Sequence, residues 1–270
     1  MMKTEWVENF FIEVAKLRYN KTVMPKMWEI LDEIIDKTDF DEHQIVYLGL
    51  YGSQNYRMDT STSDIDCECF IFPSYDDFVF AHPLYSKCIE TKYGTCHVKD
   101  IRAAFNELYK SSPNILEVLG SPYALINKDY EYIMNQICDN FIRYFATLSE
   151  AKLVKGLEGL LNRYKKTIDV NPKSFANATR VDNMIRGIIV EGLNYFDLII
   201  PIHYQYLADY KCKKEVDPQD LELFNRIQVE RIKSLQKFYD KNSFEPDEGV
   251  KGSIMFWQNE LMTRYVKLEF

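Results

Sequence analysis

The sequence predicts an α+β fold, with a small mixed β-sheet flanked by helices over residues 1–127 and an all-α helical bundle over residues 128–270. Three observations carry this division. The two-residue period of β-strands occurs only in the first part. The 3.6-residue period of amphipathic helices dominates the second. The formal charge of −8 is also uneven, with 12 Lys and Arg against 20 Asp and Glu before Lys128 and 21 against 21 from there on. An acidic part beside a neutral one suits two regions with different tasks, the first of which collects cations.

The elements follow in order. Phe10, Phe11, Val14 and Leu17 recur at helical spacing and predict a helix over 5–19, with Glu8, Glu13 and Lys16 on its polar face. A second helix opens near Pro25 and carries Trp28, Ile30, Leu31, Ile34 and Ile35. Residues 44–51 form a nearly continuous apolar run of β-formers ending at Gly52-Ser53, which reads as a buried strand. Over 64–72 acids alternate with apolar residues until Pro73. This predicts a strand with Asp64, Asp66 and Glu68 on one face and Ile65, Cys67 and Cys69 on the other. Residues 87–92 and 95–99, divided by Tyr93-Gly94, read as a hairpin, and 101–109 and 115–119 as helices. Long helical patterns then cover 129–147, 151–168, 173–199, 218–241 and 250–268.

Composition narrows the class. With 46% hydrophobic and 27% charged residues, 270 residues can bury a core without disulfides or a structural metal. No apolar run approaches the roughly 20 residues that span a bilayer, so no membrane partner is expected. The first residues lack a basic-then-apolar leader; a cytoplasmic location is expected, with the six cysteines as reduced thiols. None of those cysteines forms a Cys-x-x-Cys pair, and Cys67, Cys69 and Cys96 beside His97 read as small apolar strand residues rather than a zinc site.

The chemistry concentrates between Tyr51 and Asp66. A strand that ends in Gly-Ser can bring backbone N–H groups and a hydroxyl close to an anion. Strand alternation sets Asp64 and Asp66 about 7 Å apart on one face, a spacing at which two carboxylates can hold the same hard cations. Two carboxylates plus phosphate oxygens suit Mg²⁺, which takes six oxygens and is seldom caged by protein alone. Two basic clusters follow, Arg163, Lys165, Lys166, Lys173 and Arg180, then Arg226, Arg231, Lys233, Lys237 and Lys241. The first is the candidate for holding a triphosphate or a polynucleotide backbone.

Gly52-Ser53, ten intervening residues, then Asp64-Ile65-Asp66 after Ser63 resemble the signature of the DNA polymerase β superfamily of nucleotidyltransferases. The longer string from Tyr51 to Asp66 is most similar to a group of bacterial and phage-encoded predicted nucleotidyltransferases. Ser112 to Leu119 resembles that group's Asn-Pro-containing helix with Pro and Asn reversed, and Lys173, Asn177 and Arg180 resemble its Lys/His/Arg pattern with Asn in place of His. The resemblance covers roughly Val46 to Met184.

It implies a nucleotidyltransferase core. Gly52, Ser53, Lys173 and Arg180 would hold the nucleotide, and Asp64 and Asp66 would bind two Mg²⁺ or Mn²⁺ ions. The reaction would move a nucleoside monophosphate from an NTP to a hydroxyl of RNA, a tRNA end, a protein or a small molecule, releasing pyrophosphate. A third carboxylate completes such sites. Asp100 is the first candidate for it as a catalytic group, Glu68 the second as a metal ligand, and His97 the third. Absence of that carboxylate would instead make the chain a degenerate relative that binds a nucleotide or a partner without transfer.

Overall fold

The computed structural model describes residues 5–8, 21–74, 76–77, 80, 83–139 and 149–269. It is an α+β arrangement built on one six-stranded mixed sheet. The strands are β1 (Trp6–Glu8), β2 (Ile45–Tyr51), β3 (Asp66–Ile71), β4 (Ser86–Glu90), β5 (Thr95–Asp100) and β6 (Ala124–Asn127), in the order β1-β6-β2-β3-β5-β4. Only β3 and β5 run parallel; the other neighbours are antiparallel. The helices are α1 (Val23–Lys37), α2 (Ile101–Tyr109), α3 (Pro113–Leu119), α4 (Glu131–Asp139), α5 (Glu150–Lys165), α6 (Pro172–Arg186), α7 (Tyr204–Lys211), α8 (Pro218–Tyr239) and α9 (Glu248–Glu269).

Each face of the sheet has its own core. On one, Met27, Ile30, Leu31 and Ile34 of α1 cover Leu48, Leu50, Cys67, Cys69, Cys96 and Val98. On the other, Val46, Tyr47, Phe70, Phe72 and Ile126 join a larger cluster that continues through the helices as far as Tyr265. A bulge in β2 places both Val46 and Tyr47 on that second face, because the register against β3 shifts between Ile45 and Tyr47. The helical bundle and the sheet therefore share one apolar interior. Helix α3 lies so close across β2 that a Cβ at Gly49 would come within 2.8 Å of Val118 Cγ1, and Tyr47 Oη donates to Val118 O at 2.9 Å.

Several expectations are corrected here. Residues 6–8 form β1, paired with β6, instead of opening a helix, and residues 9–20 lie outside the described residues. The alternation is that of a strand, with Trp6 packed on the α1 side of the sheet and Val7 on the other. The helix expected over 173–199 stops at Arg186 and gives way to a π-turn over Gly187–Glu191. Gly187 and Gly192 bracket the break, and Gly192 takes a left-handed φ of +66° that no continuing helix allows. Of the helix expected over 129–147, Glu131–Asp139 is helical and 140–148 lies outside the described residues. Strand β6 and helix α7 were not expected at all. Among the described residues no helix is long and apolar enough to cross a membrane, and all six cysteines are free.

Candidate active site

The register of the β2–β3 hairpin pairs Tyr51 with Asp66, so the turn that leaves β2 and the residues that enter β3 meet at one end of the sheet. Gly52 sits at φ +109°, a conformation that side-chain-bearing residues rarely adopt. Its N–H donates to Glu117 Oε1 on α3 at 2.5 Å. Asn55 ties the same turn down from within: its Nδ2 donates to Leu50 O at 2.9 Å, and its Oδ1 accepts from Ser121 Oγ at 2.8 Å. Asp64 precedes β3 rather than lying on it, so alternation does not set its direction; instead Gln54 Nε2 holds its carbonyl at 2.7 Å and Ile65 N donates to Tyr93 O at 2.8 Å.

A cavity of about 480 Å³ opens at this end of the sheet. Gly52, Ser53, Asp64, Asp66 and Glu117 line it from the sheet side, and Arg163, Tyr164, Lys173, Asn177, Arg180 and Lys211 from the helical side. Lys173, Asn177 and Arg180 share a face of α6 because they are spaced four and three apart, and Asn171 caps the helix by accepting from Lys173 N at 2.9 Å. The side chains of Ser53, Asp64, Arg163 and Lys173 make no hydrogen bond or ion pair with any described residue. Asp66 Oδ1 accepts from Thr95 N at 3.2 Å.

Arg180 is the unusual group. It is 5% exposed, its guanidinium stacks 3.7 Å from the centre of the Tyr56 ring, and its Nε has no hydrogen-bond partner. No carboxylate of the described residues lies within ion-pair distance of it. Burial raises Glu117 above the usual carboxylate range, and Arg180 is the strongest influence holding it down. Lys211 Nζ donates to Met58 O at 2.6 Å; burial lowers its affinity for a proton, and the positive charges of Lys173 and Arg180 add to this. A pocket lined by four cations, of which Arg180 is buried and Lys211 partly so while Arg163 and Lys173 are open to solvent, suits an anion.

The candidate third carboxylates lie elsewhere. Asp100 stands at the far end of β5 from Asp66, opposite Ile71, and is fully buried. It caps α2 by accepting from Arg102 N at 2.8 Å and is gripped by Arg102 Nη2 at 2.5 Å, so it is a helix cap and not a cavity residue. Glu68 points to the same side of the sheet as Asp66 but is 5% exposed and does not line the cavity. Lys99 Nζ donates to it at 2.8 Å and to Glu107 at 2.9 Å, which commits Glu68 to a buried ion pair. His97 pairs with Glu68 across the strands and meets the Tyr51 ring edge-on at 6.5 Å, also outside the cavity lining. Lys165 and Lys166 are not in the lining either, and in the second basic cluster Arg231 is buried against Asp182.

Reasoning from the sequence missed Tyr56, Tyr164, Lys211 and the part played by Glu117. Glu117 and Tyr56 had a signal, since they lie in the 112–119 and 51–66 segments already singled out; Tyr164 and Lys211 had none. No family model matches this chain, and no curated protein matches its sequence.

Proposed function

We propose that the protein is a metal-dependent nucleotidyltransferase that moves a nucleoside monophosphate from an NTP to a hydroxyl acceptor. One observation supports this above the others: the Gly52-Ser53 turn and the carboxylates of Asp64 and Asp66 line the same cavity as four cations, Arg163, Lys173, Arg180 and Lys211. The cations match the charge of a triphosphate, and the Ser53 hydroxyl is free to donate to it.

The donor set also fits Mg²⁺ or Mn²⁺. Asp64 and Asp66 are two carboxylates open to the cavity, and a hard cation would complete its shell from phosphate oxygens and water. When bound, such ions supply charge neutralisation and a more acidic attacking hydroxyl. The chain's own part is to hold the triphosphate between turn and helices and to keep water from the side walled by Tyr56 and Tyr164. In the transfer, the acceptor oxygen bonds to the α-phosphorus, the bond to the β-phosphate oxygen breaks, pyrophosphate leaves and the hydroxyl proton passes to solvent. Three of the cations on the helical wall, Arg163, Lys173 and Arg180, belong to the cluster expected to hold a triphosphate or a polynucleotide backbone, and their place in the cavity favours an RNA or tRNA end over a cationic small molecule as acceptor.

A second reading, nucleotide binding without transfer, draws on the commitment of Asp100 to Arg102 and of Glu68 to Lys99. Incubating the protein with each α-labelled NTP, Mg²⁺ or Mn²⁺, and total RNA or cell extract separates the two. Label in an acceptor is the expected result; NTP binding by calorimetry with no transferred label would leave the second reading standing.

A further inference from the structure

The Gly-Ser turn does not offer all of its N–H groups to a ligand, because Gly52 N–H is already taken by Glu117 Oε1 at 2.5 Å. Glu117 is 7% exposed and sits on α3, which is locked against β2 at Gly49 and Tyr47. The same Oε1 lies 3.4 Å from Asn55 Nδ2, and the carboxylate is close enough to Tyr56 for the two to interact electrostatically. Tyr56 in turn carries Arg180 on its ring. One buried carboxylate thus bonds to the turn from β2 and lies beside the ring that carries the Arg180 guanidinium of α6, whose Nη1 donates to Met184 Sδ at 3.4 Å.

We propose that Glu117 is the positioning residue of this cavity: its carboxylate occupies Gly52 N–H, reaches Asn55 and lies beside Tyr56, so that Ser53 and Arg180, not Gly52, meet the anion. This rests on the phosphate reading of the cavity given above. Glu117 does not touch the ligand; it fixes the distance between a donor on the sheet and a cation on a helix. A carboxylate suits the task because a charged acceptor makes a shorter and stronger bond to a backbone N–H than a neutral one. It also balances the charge of Arg180, which would otherwise be buried with no counter-charge nearby.

The test combines amide exchange with anion binding in the full chain. In the wild-type protein the Gly52 amide should exchange with D₂O at least roughly tenfold more slowly than the Ser53 amide, because only the first has an acceptor. Equal exchange would overturn the proposal whatever the cavity binds. Glu117→Met, which fills the space without an acceptor, should lose the protection of Gly52 and weaken binding of inorganic tripolyphosphate with Mg²⁺ roughly tenfold. Glu117→Gln, whose amide oxygen can still accept from Gly52, should restore most of both. If Glu117→Met does not fold, the Glu117→Gln protein still decides: loss of protection and of affinity in that variant contradicts the proposal. Protection that follows Glu117 in a wild-type protein that binds neither tripolyphosphate nor any NTP would sustain the positioning of the turn and refute the phosphate reading.

Discussion

Helix α6 carries two buried charged residues that meet opposite fates. Asp182 faces the bundle, where Gln228 Nε2 donates to its Oδ1 at 2.7 Å and Arg231 Nε lies 2.9 Å from the same oxygen, off the line of a hydrogen bond. Arg231 Nη2 also donates to Gln228 Oε1 at 2.8 Å. Two residues earlier, and so on the other side of the helix, Arg180 faces the cavity with a tyrosine ring in place of a carboxylate. Both arginines are about equally buried, at 5% and 6% exposure. A buried charge matched from within the chain contributes to the fold. One whose nearest counter-charge, Glu117, lies beyond ion-pair distance still gains from a ligand that brings a closer one. The comparison therefore separates a polar network that belongs to the structure from one that is finished by something outside it.

Mutations can break that distinction. The largest effect is expected from replacing both Asp64 and Asp66 by Ala: metal-dependent NTP binding should fall below detection by calorimetry, while the thermal midpoint falls only slightly, because the Asp64 side chain has no partner to lose and Asp66 only the 3.2 Å bond from Thr95 N. Retained binding would remove the assignment of these residues. Next, Arg231→Ala should cost about 3 kcal/mol in urea unfolding, since it strands Asp182 in the bundle, and should leave NTP affinity unchanged. Arg180→Lys should do the reverse, weakening tripolyphosphate binding roughly tenfold through loss of the planar fork, with little change in the unfolding midpoint.

The smallest effect concerns protons. Burial, with Lys173 and Arg180 beside it, holds Lys211 below the usual lysine range in the free protein. An anion that neutralises those neighbours raises it again, so binding takes up a proton and affinity falls as pH climbs toward about 10, the ordinary lysine value. Calorimetry in buffers of different ionisation enthalpy at a pH of about 9 reads the uptake directly. It should vanish in Lys211→Met; uptake that persists in that variant would point to another group.

The parts of this fold that were legible from sequence are those whose signal is local. The run 45–51 announces a strand because it is apolar almost throughout and six of its seven residues are buried, and Gly52-Ser53 with Asp64 and Asp66 are brought together by the local β2–β3 hairpin. What stayed hidden depends on partners far along the chain. Strand β6 is four residues with no alternation, since both its faces are buried. Helix α7 buries only Leu207 and Tyr210, too few to mark a face, and Lys211 went unseen with it. Asp100 has the right chemistry in the wrong place. It opens α2 as its cap, because a buried carboxylate at a strand end is claimed by the nearest N–H groups and guanidinium.

The stacking of Phe72 on Tyr265, whose hydroxyl donates to Pro73 O at 2.9 Å, joins the sheet to α9 across nearly two hundred residues. Contacts of such long sequence separation form late, because a large loop must close before they repay its entropy. On the ribosome, the sheet with its acidic turn can be complete while α9, which closes the shared core, is still being made. Newly synthesised chains therefore pass through a stage at which Val46, Phe70 and Phe72 lack much of their eventual cover, and that stage, rather than the finished protein, is where aggregation and chaperone capture compete with folding.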